Sequence, residues 1–174
     1  MRALLLLFSI LCGMLAARPV TALEQDEAAV KAAFIYNFTK FVEWPPETSG
    51  PLQICLLGEP DPLLNALMNL EGKQSQGSII HVRNAGRDAS LLDGCRVIVV
   101  GVSETVRAAA ILGNVQKQPA LTVSEIERFA DDGGMIGLVV DGARVRFEIN
   151  AQAAQRANLK LSAQLLKLAR KVKP

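Results

Sequence analysis

Along residues 24–44 apolar side chains recur at spacings of three and four: Val30, Ala33, Phe34, Phe38 and Phe41, with Ile35 and Val42 widening the stripe. That period predicts an amphipathic helix with a broad apolar face. Pro45 and Pro46 predict its stop, because neither donates a helical hydrogen bond and Pro45 also restricts Trp44. Leu52-Gln53-Ile54-Cys55-Leu56-Leu57, followed by Gly58, then reads as a buried strand, and residues 62–70 as a short helix ended by Gly72.

Strand and helix patterns go on alternating. Residues 78–83 form a partly alternating strand after Gly77, and a polar loop runs through Asp88. Cys95-Arg96-Val97-Ile98-Val99-Val100-Gly101 is the near-continuous β-branched run expected of a central strand covered on both faces. Ser103 is placed to cap a helix through Leu112. Leu121-Thr122-Val123 predicts one more strand, and Ser124-Glu125-Ile126-Glu127 has the capping-box pattern of a brief helix. Such alternation implies parallel pairing.

The last third changes style. Two apolar runs, residues 135–140 and 143–149, flank Asp141-Gly142, which predicts a β-hairpin. In the second run Val145, Phe147 and Ile149 share the buried face, leaving Arg144, Arg146 and Glu148 in water. Asn150 is placed to cap a helix over residues 151–157. Ser162 is placed to cap a final one over residues 163–171, whose Leu165, Leu166, Leu168 and Ala169 would close the core. The prediction is a single compact α/β domain, its mixed, mostly parallel sheet flanked by helices and carrying a C-terminal β-hairpin.

Composition alters this picture in three ways. Of eight aromatic residues, Phe34, Tyr36, Phe38, Phe41 and Trp44 fall within eleven positions, marking the first helix as the anchor of the core or of an interface. Tyr36 lies off the apolar stripe and Trp44 ends it, so these two are the candidate partner contacts on that helix. At the start of the chain, Arg2, an apolar run to Leu15, and small residues at Val20 and Ala22 have the order of a cleavable export signal over residues 1–22. The run is too short to span a bilayer. Ile10-Leu11 before Cys12 argue against a lipoprotein cysteine. Cleavage would leave residues 23–174, enough for one domain with a real core.

Removing Arg2 and Arg18 turns the formal charge of +2 into an even balance of 17 basic and 17 acidic residues. No Lys/Arg run marks a nucleic-acid partner. The terminal Lys167, Arg170, Lys171 and Lys173 suit the C-terminal end of the last helix. Cys55 and Cys95 remain as the two mature cysteines, and an exported chain would pair them. Two buried free thiols are the alternative reading.

Candidate chemistry is sparse. Gly101-Val102-Ser103-Glu104-Thr105 imitates a nucleophile elbow but lacks the final glycine, and the single histidine, His81, precedes Ser103 against the order of that fold class. His81 with two distant cysteines forms no recognisable metal set, and reads as a strand residue. Asp131-Asp132-Gly133-Gly134 is turn chemistry rather than an acid/base pair. Gly58-Glu59-Pro60-Asp61 lacks a phosphate-loop pattern and would repel phosphate. Arg144 and Arg146, on one strand face, can grip a carboxylate or phosphate, though a solvated outer face explains them as well. No catalytic residue, metal or cofactor is therefore assigned.

Ala32-Ala33-Phe34-Ile35-Tyr36-Asn37-Phe38-Thr39-Lys40-Phe41-Val42-Glu43-Trp44-Pro45 resembles the YfiR family of bacterial periplasmic proteins. So do Ile54-Cys55-Leu56-Leu57-Gly58, Gly133-Gly134-Met135-Ile136, Arg144-Val145-Arg146-Phe147-Glu148-Ile149-Asn150 and Ser162-Ala163-Gln164-Leu165-Leu166. The resemblance runs from about Ala29 to Leu168. It implies a compact α/β domain, often dimeric, without catalysis of its own. It further implies repression of an inner-membrane diguanylate cyclase through its periplasmic sensor region, and sequestration by an outer-membrane lipoprotein; release would raise cyclic di-GMP and favour biofilm. It places a disulfide at Cys55 and Cys95. A second cysteine pair found in some relatives has no counterpart here. The alternative is a periplasmic small-molecule-binding module that uses a crevice of the sheet with Arg144 or Arg146.

Overall fold

The computed structural model describes residues 20–46, 48 and 50–174. Helix α1 (Val20–Phe41) leads into a short strand β1 (Val42–Glu43), followed by β2 (Leu52–Leu57), α2 (Pro62–Leu67) and a 3-10 turn, Met68–Leu70. Next come β3 (Gln74–Ser75), β4 (Ser78–Gly86), a 3-10 turn at Ala89–Leu92, β5 (Val97–Val100), a longer 3-10 segment at Val102–Arg107, α3 (Ala108–Val115) and β6 (Leu121–Ser124). The last part holds β7 (Ile136–Asp141), β8 (Arg144–Asn150), α4 (Ala151–Arg156), β9 (Lys160–Leu161), α5 (Ala163–Leu168) and β10 (Lys171–Lys173). The expected export signal lies outside the described residues, except for its last three, which are the first of α1.

Eight strands form one mixed sheet in the order β10-β8-β7-β6-β5-β2-β4-β3. Its centre, β4-β2-β5-β6-β7, is parallel, while β8 runs antiparallel to β7 and β3 to β4. From β2 the chain moves to β4 through α2, and from β5 it moves the other way through α3. Crossovers of one hand therefore put these helices on opposite faces. Strand residues sort by parity. Leu52, Ile54, Leu56, Val97, Val99, Leu121 and Val123 pack in the core with α1, α2, α4 and α5, while Cys55, Leu57, Ile98 and Val100 join Ile111 and Val115 of α3 in a second core. The alternation of strand side chains produces both cores from the same apolar runs.

The expected helices differ from the observed ones where long-range contacts intervene. α1 buries Ala28, Lys31, Ala32, Ile35, Phe38 and Thr39, so Phe38 and Ile35 of the predicted stripe are in the core, while Ala33 and Val30 are not, Val30 being 45% exposed. Phe34 and Phe41 flank the buried face, half-exposed. The helix ends at Phe41, not Trp44. The Gln76 side-chain amide donates to the Thr39 and Val42 carbonyls at 2.7 and 2.9 Å, and Val42–Glu43 leaves to pair with Lys160–Leu161.

Ser103 caps no helix. It lies within the 3-10 segment, and α3 starts five residues later. The Ser124 hydroxyl accepts from the Ile126 N–H at 3.0 Å, making a turn rather than a helix. The final helix stops at Leu168, and Lys171–Lys173 forms β10 beside β8. Lys171 and Lys173 therefore serve a sheet edge, Lys167 stays in the last turn of α5 as expected, and Leu168 is exposed instead of closing the core. Asn150 and Ser162 cap as expected, accepting from Ala153 and Leu165 N–H at 2.9 and 3.1 Å.

Candidate functional site

The strand order reverses between β2 and β5, and the crevice beyond the carboxyl ends of such strands is where open α/β sheets usually hold ligands. Here that crevice is closed by backbone. Gly101 N–H donates to Leu57 O at 2.8 Å, and the Ser103 hydroxyl accepts from Glu59 N–H at 2.8 Å. At Gly58, whose φ is +143°, a Cβ would stand 2.8 Å from Ser103 Oγ and 3.2 Å from Gly101 Cα. Glycine at 58 is thus what lets the two loops meet. Asp61 caps α2 by accepting from Leu64 N–H at 2.7 Å, and its other carboxylate oxygen is buried without a hydrogen bond.

Beside this seal Glu104 is wholly buried. Arg87 Nε lies 3.0 Å from one of its oxygens and Arg107 Nε 3.3 Å from the other, and Glu59 stands 3.4 Å from Arg87. Neither Glu104 oxygen has an aligned hydrogen-bond donor. Both guanidinium groups reach water, so the cluster stitches two loops together by charge instead of burying bare ions.

The open site lies one strand further on. Leu57, Gly86, Val100, Ser124 and Gly137 are paired in register, so β2, β4, β5 and β6 end in one row. β7 continues past it from Leu138 to Asp141, paired only with β8. These four residues overhang by about 13 Å at the usual strand rise. The angle between the overhang and the sheet's carboxyl end is a groove of about 580 Å³. Leu138, Val139, Val140 and Glu148 of the hairpin form one wall; Lys31, Val102, Glu125, Glu127, Arg128 and Asp131 face them, with Arg170 and Lys171 at one end.

Most of the groove's charges are paired. Lys31, only 8% exposed, bonds Glu125 and lies 2.6 Å from Glu27. Burial alone would lower its pKa, but the hydrogen bonds and charges of Glu125 and Glu27 outweigh burial and raise it above its ordinary 10.5. Lys171 Nζ donates to both Asp131 oxygens at 2.8 and 2.9 Å, and this holds the Asp131 carboxyl below its ordinary range. Arg170 lies 3.7 Å from Glu148 and 4.0 Å from Asp141. The positive φ of Arg128, +60°, turns the 125–135 loop beneath this groove.

The candidate residues read from the sequence do not converge. The Tyr36 hydroxyl donates to Gln74 O at 2.9 Å, and Lys40 Nζ sits 4.1 Å from its ring centroid. Trp44 Nε1 donates to Arg96 O at 3.3 Å, at the amino end of β5. Arg144 and Arg146 are exposed on β8 beside the overhang, at the opposite end of the sheet from Trp44, and neither has an ion-pair partner among the described residues. Cys55 and Cys95 form a disulfide with Cα atoms 5.9 Å apart, buried in the core on the α3 face.

His81 is an exposed β4 residue whose Nδ1 lies 2.8 Å from Glu71. Lys31 and Glu104 were missed by sequence reasoning. A lysine inside the apolar stretch of α1 was the available signal for Lys31, whereas Glu104 sits among Ser103, Thr105 and Arg107 and gives none. Glu27 and Arg107 are local partners, but Glu125 and Arg87, which complete the two clusters, lie elsewhere in the chain.

Among the described residues no three His, Cys, Asp or Glu side chains are placed to hold a metal ion, and no helix is long and apolar enough to cross a membrane. Residues 28–170 match the YfiR/HmsC-like family. That stretch holds every strand from β1 to β9 and the whole groove apart from Lys171, and the chain belongs to this family.

Proposed function

We propose that this YfiR/HmsC-like protein is a periplasmic regulator that represses an inner-membrane diguanylate cyclase by binding its periplasmic sensor region. Cyclic di-GMP and biofilm formation fall as a result. The observation that carries the proposal is the family match over residues 28–170. Two features support it: residues 1–22 have the order of an export signal, and the Cys55–Cys95 bridge suits an oxidising compartment. The mature chain is then residues 23–174, a single domain without catalytic work that acts through its surfaces. Homodimer formation and capture by an outer-membrane lipoprotein belong to the same proposal. Tyr36, Trp44, Arg144 and Arg146 are its candidate contacts.

The test is direct. Deleting the gene should raise cellular cyclic di-GMP, and the purified protein should bind the periplasmic region of the cognate cyclase. Unchanged cyclic di-GMP together with no binding sinks the proposal. A second reading, a small-molecule-binding module, is favoured by the groove's volume, which falls within the ~300–1,000 Å³ of ligand clefts. Thermal shift against amino acids and nucleotides separates the two. A shift at millimolar ligand without cyclase binding would favour the module.

A further inference from the structure

The β7 overhang exposes an unsatisfied sheet edge. Its hairpin closes through Gly142 and Ala143, with Asp141 opposite Arg144. In a two-residue hairpin that closing pair exchanges both hydrogen bonds, and so does every second pair below it, here Val139 with Arg146. The backbone N–H and C=O of Val140 therefore point away from β8, into the groove, where β6 has already ended. An unpaired row of this kind is a template for another strand.

Charge identifies the strand that fits. Val139 is directly opposite Arg146, and Asp141 opposite Arg144, so both arginines share a face with Val139 and Asp141. Both are exposed without an ion-pair partner among the described residues, while Lys31, Arg128, Arg170 and Lys171 are already paired with carboxylates. Glu127 is the one lining carboxylate with no such pair among the described residues, and the two arginines outnumber it. A strand added to β7 would lie about 10 Å from β8, two strand spacings. An arginine extended across Val139 can meet an acidic side chain reaching back over that distance. On the opposite face the added strand would meet Val140, 50% exposed, and Val102, 46% exposed, also lines the groove. The complementary sequence thus alternates acidic and apolar residues.

We propose that the open edge of β7 takes up an extended acidic segment of the partner protein as an additional strand, with Arg144 and Arg146 holding its carboxylates. This rests on the regulatory reading for the partner's identity, but not for the chemistry of the edge. Two probes separate the two claims: the peptide acetyl-(Val-Glu)₄-amide and the periplasmic region of the cognate cyclase. The peptide should bind the mature protein and slow hydrogen exchange at the Val140 amide, while acetyl-(Val-Lys)₄-amide should not. The double variant Arg144→Glu, Arg146→Glu should weaken binding of the acidic peptide and of the cyclase region by about tenfold or more.

Val140→Pro removes the outward N–H without removing a hydrogen bond to β8 and should abolish binding of both. If it perturbs the hairpin, the arginine double variant, substituted at exposed positions, carries the comparison. Equal binding of the two peptides, or no protection at Val140, overturns the inference even if the cyclase region binds. If the peptide binds as described but the cyclase region does not, the edge stands and the regulatory reading falls. A concentration-dependent dimer that Val140→Pro abolishes, without peptide binding, overturns the inference in favour of a second copy as occupant.

Discussion

Phe38 and Phe147 meet edge to face with ring centroids 5.0 Å apart, which ties the first helix to the second strand of the C-terminal hairpin. Phe34 approaches the same Phe147 ring at 5.7 Å. Most of the described chain lies between the partners, so this contact closes the fold. Phe38→Ala and Phe147→Ala should each cost about 3–5 kcal/mol, whereas Tyr36→Phe, which removes one peripheral hydrogen bond, should cost about 1 kcal/mol or less. Urea denaturation of the three variants checks the ranking. A Phe38→Ala cost no larger than that of Tyr36→Phe would contradict it.

The Cys55–Cys95 bridge spans a sequence separation of 40. In the chain-entropy account such a loop contributes about 4 kcal/mol, an upper figure. Reductant should therefore lower the melting temperature of the wild type, and the Cys55→Ser, Cys95→Ser double variant should melt lower but show no response to reductant. Free thiols found by mass spectrometry in native protein would refute the bond.

Gly58→Ala would force a Cβ against Ser103 Oγ and Gly101 Cα at a φ that side chains rarely adopt. The expected loss is about 1–3 kcal/mol. Ser103→Ala removes the acceptor for Glu59 N–H and should cost about 1 kcal/mol. Combining the two relieves the closest clash, so the double variant should lose less than the sum. Strict additivity in thermal unfolding would show that the clash lies elsewhere.

Asp131 has a folded pKa below its ordinary 3.8, mainly through the Lys171 hydrogen bonds. Its contribution to stability is complete above that ordinary value and fades as pH falls through the lower folded value. Lys31 shifts the other way: its contribution is complete below 10.5 and is lost as pH rises through the higher folded value. Lys171→Met should therefore flatten the acid limb of the stability profile below about pH 4, and Lys31→Met the alkaline limb above about pH 10. Equilibrium unfolding across pH measures both. Unchanged limbs would mean that these pairs contribute nothing.

Much of the architecture is legible in local pattern. The run Val97-Ile98-Val99-Val100 predicts a strand buried on both faces, and all four residues are buried. Asp141-Gly142 predicts the hairpin, although the turn is centred one residue later, with Gly142 at φ +61° in the first central position. Asn150 and Ser162 predict their caps because capping is settled within three residues. The cysteines predict their bond through compartment and number.

What local pattern left open depends on distant partners. α1 carries apolar residues around much of its circumference, so periodicity admits several orientations. Packing against α2 and the sheet chose the one that buries Ile35 and Phe38 and leaves Val30 in water. The short strands β1, β3, β9 and β10 are two or three residues long, too short for any period to register, and exist because a neighbouring strand offers hydrogen bonds. The candidate groove was hidden for the same reason: no residue pattern reveals that β6 ends at Ser124 while β7 runs on to Asp141. Local pattern is enough for the alternation of elements, the hairpin and the caps at Asn150 and Ser162, because each is written in spacings of a few residues, and cysteine number and compartment are enough for the Cys55–Cys95 pair. Only the tertiary structure decided the strand order, the burial of Lys31 and Glu104 and the open edge beside Arg144 and Arg146, because each depends on which surfaces meet when the whole chain packs.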